Sequence, residues 1–166
     1  MEGSARPAHL PARRADTRRI SPTPCNPRVS TILVIEDDPG VRRVLLHTLE
    51  YAGHQVRAVD NGREALRAVH DQEPDLVVTD IVMPDSDGLE IIRILRSDHP
   101  GVRIIAISGG GMICRTTYLE LAHLLGADVT LQKPVLPSDL IFAVAELVGE
   151  RESASGTGAL PSGEAQ

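Results

Sequence analysis

Between Ser30 and about residue 149 the chain alternates two apolar patterns. Short runs of strand length recur: Ile32–Ile35, Gln55–Val59, Asp75–Asp80, Val102–Ile107 and Val129–Gln132. Between them apolar residues return at helical spacing, as in Val41, Val44, Leu45 and Leu49, or Ala65, Leu66 and Val69. Leu89, Ile92 and Leu95 carry a third helix, Leu121, Leu124 and Leu125 a fourth, and Leu140, Val144, Leu147 and Val148 a fifth. The punctuation agrees. Asp38-Pro39 offers a cap and a proline in the first turn, and Asn61 a second cap. Gly53, Pro74, His99-Pro100-Gly101 and Gly126 close successive helices, and Pro137-Ser138-Asp139 opens the last. Five strand–helix units of this length predict a doubly wound α/β domain, its parallel sheet covered by helices on both faces.

Four of the strands run into polar residues at their carboxyl ends. The first meets Glu36-Asp37-Asp38, the central one ends on Asp80, the next meets Ser108, and the last meets Lys133-Pro134. In a parallel sheet these ends share one edge, where open α/β folds place their ligands. Acids, a hydroxyl and an ammonium converging there describe a site for a hard cation and a phosphoryl group. Three carboxylates in one pocket repel unless a cation neutralises them, and hard oxygen donors with room for water suit Mg2+. Each residue alone has a plainer role, Asp38 as a helix cap and Ser108 before Gly109-Gly110-Gly111 as a turn. Asp85 and Asp87 read as turn and cap residues, and the histidines show no metal spacing.

The ordered set resembles the receiver domain of two-component response regulators over about Val29 to Gly149, including Met83-Pro84 and Asp87-Gly88 after the central aspartate. The resemblance implies a flavodoxin-like five-stranded sheet in the order 2-1-3-4-5. It implies Asp80 as phosphoacceptor, assisted by Ser108 and Lys133, with Pro134 following a cis peptide bond that aims the lysine. Asp37, Asp80 and the backbone carbonyl of Val82 would ligate Mg2+ directly, and Glu36, where aspartate is more usual, through water. A sensor histidine kinase or a histidine phosphotransfer protein would be the donor, and a second copy of the chain a partner on phosphorylation. Two departures bear on signalling: Thr130 stands where an aromatic residue is usual, and Val135 where phenylalanine is frequent.

Composition narrows the picture. Tyr51, Tyr118 and Phe142 are the only aromatics among 166 residues, so the core is expected to be aliphatic, and there are few candidates for base-stacking platforms. The net charge of −6 divides into +4 over residues 1–28, which hold six arginines, and −10 over the rest. The folded part is therefore a poor general binder of nucleic acid. Cys25 and Cys114 belong to no paired motif, which fits a reducing cytoplasm. No stretch is apolar enough to span a membrane. Residues 1–28 are expected to form a disordered Pro/Arg-rich extension, 29–149 the domain and 150–166 a disordered tail, giving a stand-alone receiver without an output domain.

The expected function is a phosphorylation-activated switch, not an enzyme, acting by partner binding or phosphorelay. A phosphohydrolase of the haloacid dehalogenase type also uses an aspartate nucleophile and Mg2+, but wants a general-acid aspartate two residues on, where this chain has Val82. A receiver-fold scaffold that is never phosphorylated is the third reading.

Overall fold

The computed structural model describes residues 29–84, 86–109 and 115–155. In chain order the elements are β1 (Thr31–Ile35), α1 (Pro39–Tyr51), β2 (Gln55–Val59), α2 (Gly62–Asp71), β3 (Leu76–Asp80), β4 (Val82–Met83), β5 (Ser86–Asp87), α3 (Gly88–Asp98), β6 (Arg103–Ser108), α4 (Arg115–Leu124), β7 (Val129–Gln132) and α5 (Pro137–Ser155). Five strands pair in parallel in the order β2-β1-β3-β6-β7, while β4 and β5 form a two-residue antiparallel ladder outside that sheet. Counting the sheet strands alone, the order is 2-1-3-4-5, the flavodoxin-like arrangement the resemblance implied.

Alternation along each strand splits the core into two layers. Leu33, Ile35, Val77, Ile104 and Ala106 face α2, α3 and α4, whereas Ile32, Val34, Val78, Ile105 and Ile107 face α1 and α5. The central strand β3 is buried along its whole length. The packing is aliphatic: Tyr51 and Phe142 are exposed, and Tyr118 only packs against the edge of the core. Helix starts follow the sequence signals. Asp38 accepts from the Gly40 and Val41 amides at 2.7 and 2.9 Å, Asn61 from Glu64 at 2.9 Å, and Asp87 from Leu89 at 2.9 Å.

Three features differ from the sequence reading. On α4 the buried residue is Ala122, with Tyr118, Leu119 and Leu125 partly buried beside it, while Leu124 is 80% exposed. A small residue at the centre of the contact lets the helix sit close to the sheet, and so turns the leucine stripe sideways. Helix α5 runs on to Ser155, past the boundary at 149. The β4–β5 ladder replaces part of the expected loop. No helix among the described residues is long and apolar enough to cross a membrane. Cys25, Cys114, Asp85, Gly110, Gly111 and Met112 lie outside the described residues, as do the basic extension and residues 156–166.

Candidate functional site

Strand register brings the polar residues together. Ile35 pairs with Thr79, so Glu36 and Asp80 leave adjacent strands at the same level. Asp80 lies opposite Ile107, and Ser108 opposite Gln132, so Ser108 and Lys133 follow within a residue of that edge. The Lys133–Pro134 peptide is cis.

Asp80 is 5% exposed. One carboxylate oxygen, Oδ1, accepts from the Val82 amide at 3.0 Å; the other, Oδ2, accepts from Lys133 Nζ at 2.6 Å. The ammonium also donates to Glu36 Oε1 at 2.9 Å and lies 2.7 Å from Oε2 without hydrogen-bond alignment. Glu36 is fully buried. Burial pushes its carboxyl above the ordinary range and the charge of Asp80 adds to this, while Lys133 opposes both. For Lys133, burial alone would lower the pKa; hydrogen bonds and charge from Asp80 and Glu36 outweigh it, leaving a firmly charged ammonium. Ser108 is 1% exposed, and its Oγ has no hydrogen-bond partner among the described residues. A buried hydroxyl without a partner is costly, which suits a group waiting for an acceptor.

Glu36, Asp37 and Asp80 each present a carboxylate oxygen, and the three atoms lie within 4.8 Å of one another. Oxygen donors at that spacing fit a divalent cation of the Mg2+ type, with Asp37 the least buried of the three and open to a hydrated ion. Val82 follows on β4, its amide already turned to Asp80. Glu36, Asp37, Asp80, Val82, Ser108 and Lys133 therefore gather at one edge of the sheet.

Two residues support the site in ways the sequence did not show: Arg42, which was not singled out, and Gly88, which was read only as part of the Asp87-Gly88 dipeptide. Arg42, in the first turns of α1, donates to the backbone carbonyls of Glu36 and Asp37 at 2.7 and 3.1 Å, fixing the acidic loop. Its position, four residues past the capping Asp38, is the signal that could have found it. Gly88 lies behind Asp80: a Cβ built on it would come within 2.2 Å of the Asp80 carbonyl oxygen and 2.6 Å of Ile81 Cα. Beside Lys133 an apolar groove of about 580 Å³ is lined by Val41, Val44, Leu45, Pro134 and Val135.

Residues 32–145 match the response regulator receiver domain family. The chain belongs to that family. A curated relative, the DNA-binding transcriptional regulator NtrC of Azospirillum brasilense, is 37% identical over 115 residues, 69% of this chain and 23% of the relative. Response regulator MprA of Mycolicibacterium vanbaalenii is 34% identical over 128 residues, 76% of this chain and 54% of the relative. The chain thus spans about half or less of the length of these relatives. Among solved structures, the receiver domain of NtrX from Brucella abortus superposes with a TM-score of 0.67 at 29% identity, covering 71% of this chain and 98% of that one. A CheY-like receiver domain protein from Methanospirillum hungatei gives a TM-score of 0.70 at 26% identity, covering 76% and 99%.

Proposed function

We propose that this receiver is a phosphorylation-activated switch in the cytoplasm, taking a phosphoryl group from a histidine kinase or phosphotransfer protein onto Asp80. The observation that carries the reading is the Asp80 carboxylate itself, buried at a strand end, held by Lys133 at 2.6 Å and grouped with two further acids. In the transfer, an Asp80 oxygen forms the bond to phosphorus as the P–N bond of phosphohistidine breaks and its electron pair returns to the imidazole nitrogen. The product is an aspartyl phosphate. Lys133 meets the negative charge of the transferred group, and the Ser108 hydroxyl gains the acceptor it lacks. Asp37, Asp80 and the Val82 carbonyl would hold Mg2+, which when bound offsets the charge of the acids and of the incoming phosphoryl group. Val82 supplies no general acid, which favours retention of the phosphoryl group over turnover of an external substrate.

The apolar groove beside Lys133 gives the donor a surface next to the nucleophile. Output then passes by docking to a protein partner or by onward phosphoryl transfer, not by direct contact with nucleic acid, in keeping with the acidic charge outside residues 1–28. The test is labelling with acetyl phosphate or a phosphorylated kinase. The parent protein is expected to take up one base-labile phosphoryl group in Mg2+ and none in excess EDTA. Persistent stoichiometric labelling of an Asp80→Asn protein would contradict the assignment.

A further inference from the structure

We propose that the free edge of β2 takes up an extended acidic segment of a partner protein, paired antiparallel to the strand. Arg57, at the centre of β2, is level with Leu33 and Val77, below the carboxyl edge where Asp80 lies. The proposal goes beyond the phosphoacceptor reading and does not depend on it.

Among the described residues β2 is the outermost strand on its side of the sheet and pairs only with β1. The Gln55 amide donates to the Ser30 carbonyl at 2.9 Å, and the Val59 carbonyl accepts from the Glu36 amide at 3.2 Å. Gln55, Arg57 and Val59 therefore turn their main-chain groups toward β1. By alternation Val56 and Ala58 turn theirs outward, and such an edge is a template for another strand. The run from Gln55 to Val59 holds no proline that would block pairing.

The side chains of Gln55 and Arg57 lie on the α2 face, as the register of Arg57 with Leu33 requires. There a cavity of about 220 Å³ opens between the two strands and the end of α2, lined by Leu33, Gln55, Arg57, Ala68, Gln72 and Pro74. Leu33 and Ala68 are buried, while Gln55 and Arg57 are exposed. Arg57 makes no hydrogen bond or ion pair with any described residue. In an antiparallel pair with an added strand, Gln55 and Arg57 fall at non-hydrogen-bonded positions, where facing side chains approach most closely. An acid opposite Arg57 gives the guanidinium a counter-charge. An apolar residue two places on, opposite Gln55, reaches the cavity from the same face.

Charge decides the occupant. Two copies pairing about the centre of β2 would set Arg57 against Arg57, and residues 1–28 carry +4, so both like-charged candidates are disfavoured. A charged residue on an edge strand guards against self-association, and here it also selects a partner strand of opposite sign.

The experiment titrates the acetylated, amidated peptide Ser-Thr-Glu-Val-Leu-Thr-Ser into the full chain and follows the backbone amides of the protein by NMR. The Val56 and Ala58 amides are expected to shift and to exchange more slowly with solvent, with smaller shifts at Leu33, Ala68 and Gln72. Arg57→Glu is expected to weaken binding about fivefold or more, and a peptide with lysine in place of glutamate to recover it on that variant alone. Arg57→Gln should fall between the two, which keeps the test decisive if the charge reversal disturbs folding. Unchanged β2 amides at about 5 mM peptide would overturn the proposal. So would shifts centred on the groove beside Lys133, or equal affinity for the parent and both variants.

Discussion

At the residue scale the site depends on side chains and on one missing side chain. Asp37 is the acid with most access to a hydrated cation, and Asp37→Ala is expected to weaken Mg2+ binding by about tenfold or more, exceeding the loss from Glu36→Ala. Calorimetric titration of both variants checks the ordering; equal or reversed losses would contradict it. Gly88 acts from behind. An added methyl would overlap the Asp80 carbonyl oxygen at 2.2 Å, a backbone atom with no easy way to yield. Gly88→Ala is therefore expected to cost about 1–3 kcal/mol in urea denaturation and to slow labelling of Asp80, because relief requires moving the end of β3. The sequence displayed the chemical groups but not these supports. Asp80, Ser108 and Lys133 were legible because each follows an apolar run. The Glu36–Lys133 contact joins residues 97 apart, and no local pattern encodes such a pair. Gly88 read as half of a turn dipeptide, since its closeness to Asp80 exists only once the chain after β5 folds back so that the Gly88 amide donates to the Ile81 carbonyl at 3.1 Å.

At the element scale, the five helices and the five strands of the main sheet were legible, because caps, prolines and apolar spacing agreed for them, whereas the two-residue β4–β5 ladder read as loop. The orientation of α4 was not legible. Its leucines at 121, 124 and 125 suggested one face, but only Leu125 of these packs against the core, beside the buried Ala122, while Leu121 and Leu124 are exposed. Arg96 fixes this region instead. It donates to the Gly126 carbonyl just past α4 through Nε at 3.0 Å, and to Asp128 at 2.8 Å, while Arg103 pairs with the same aspartate at 3.0 Å. Arg96→Met is expected to lower stability by about 2–3 kcal/mol and to speed amide exchange first in α4 and β7, measured by hydrogen exchange. Protection unchanged in α4 would show that the clasp is not what holds it. The start of the β1–β2 pair carries a pH dependence. His54 Nδ1 accepts from the Ser30 amide at 3.4 Å, and burial holds the imidazole below its ordinary value of 6.5. The unfolded chain therefore binds this proton first. Stability is expected to be full above about 6.5 and to fall as the pH drops from there toward the lower folded value, with a smaller fall in His54→Gln. Denaturation midpoints of the two proteins across that range decide it.

At the scale of the whole molecule, the doubly wound order followed from family resemblance, not from periodicity, which says nothing about which strands are neighbours. The distinctive feature is how a signal would leave the site. Thr130, opposite Ala106 on β7, has neither the volume nor the ring of the aromatic residue usual there. Readout is therefore expected to run from Ser108 through the following loop to α4, reaching a partner surface around Tyr118. Amide shifts on adding beryllofluoride should be largest within residues 108–133; changes concentrated in α1 would contradict this route. All of it depends on one event at Asp80. The most direct test is mass spectrometry of the intact protein after acetyl phosphate treatment, followed by peptide mapping. The account predicts one added phosphoryl group, formed only with Mg2+, lost in base and located on the peptide that contains Asp80. A phosphoryl group found on another residue, or formed equally well in EDTA, would contradict it.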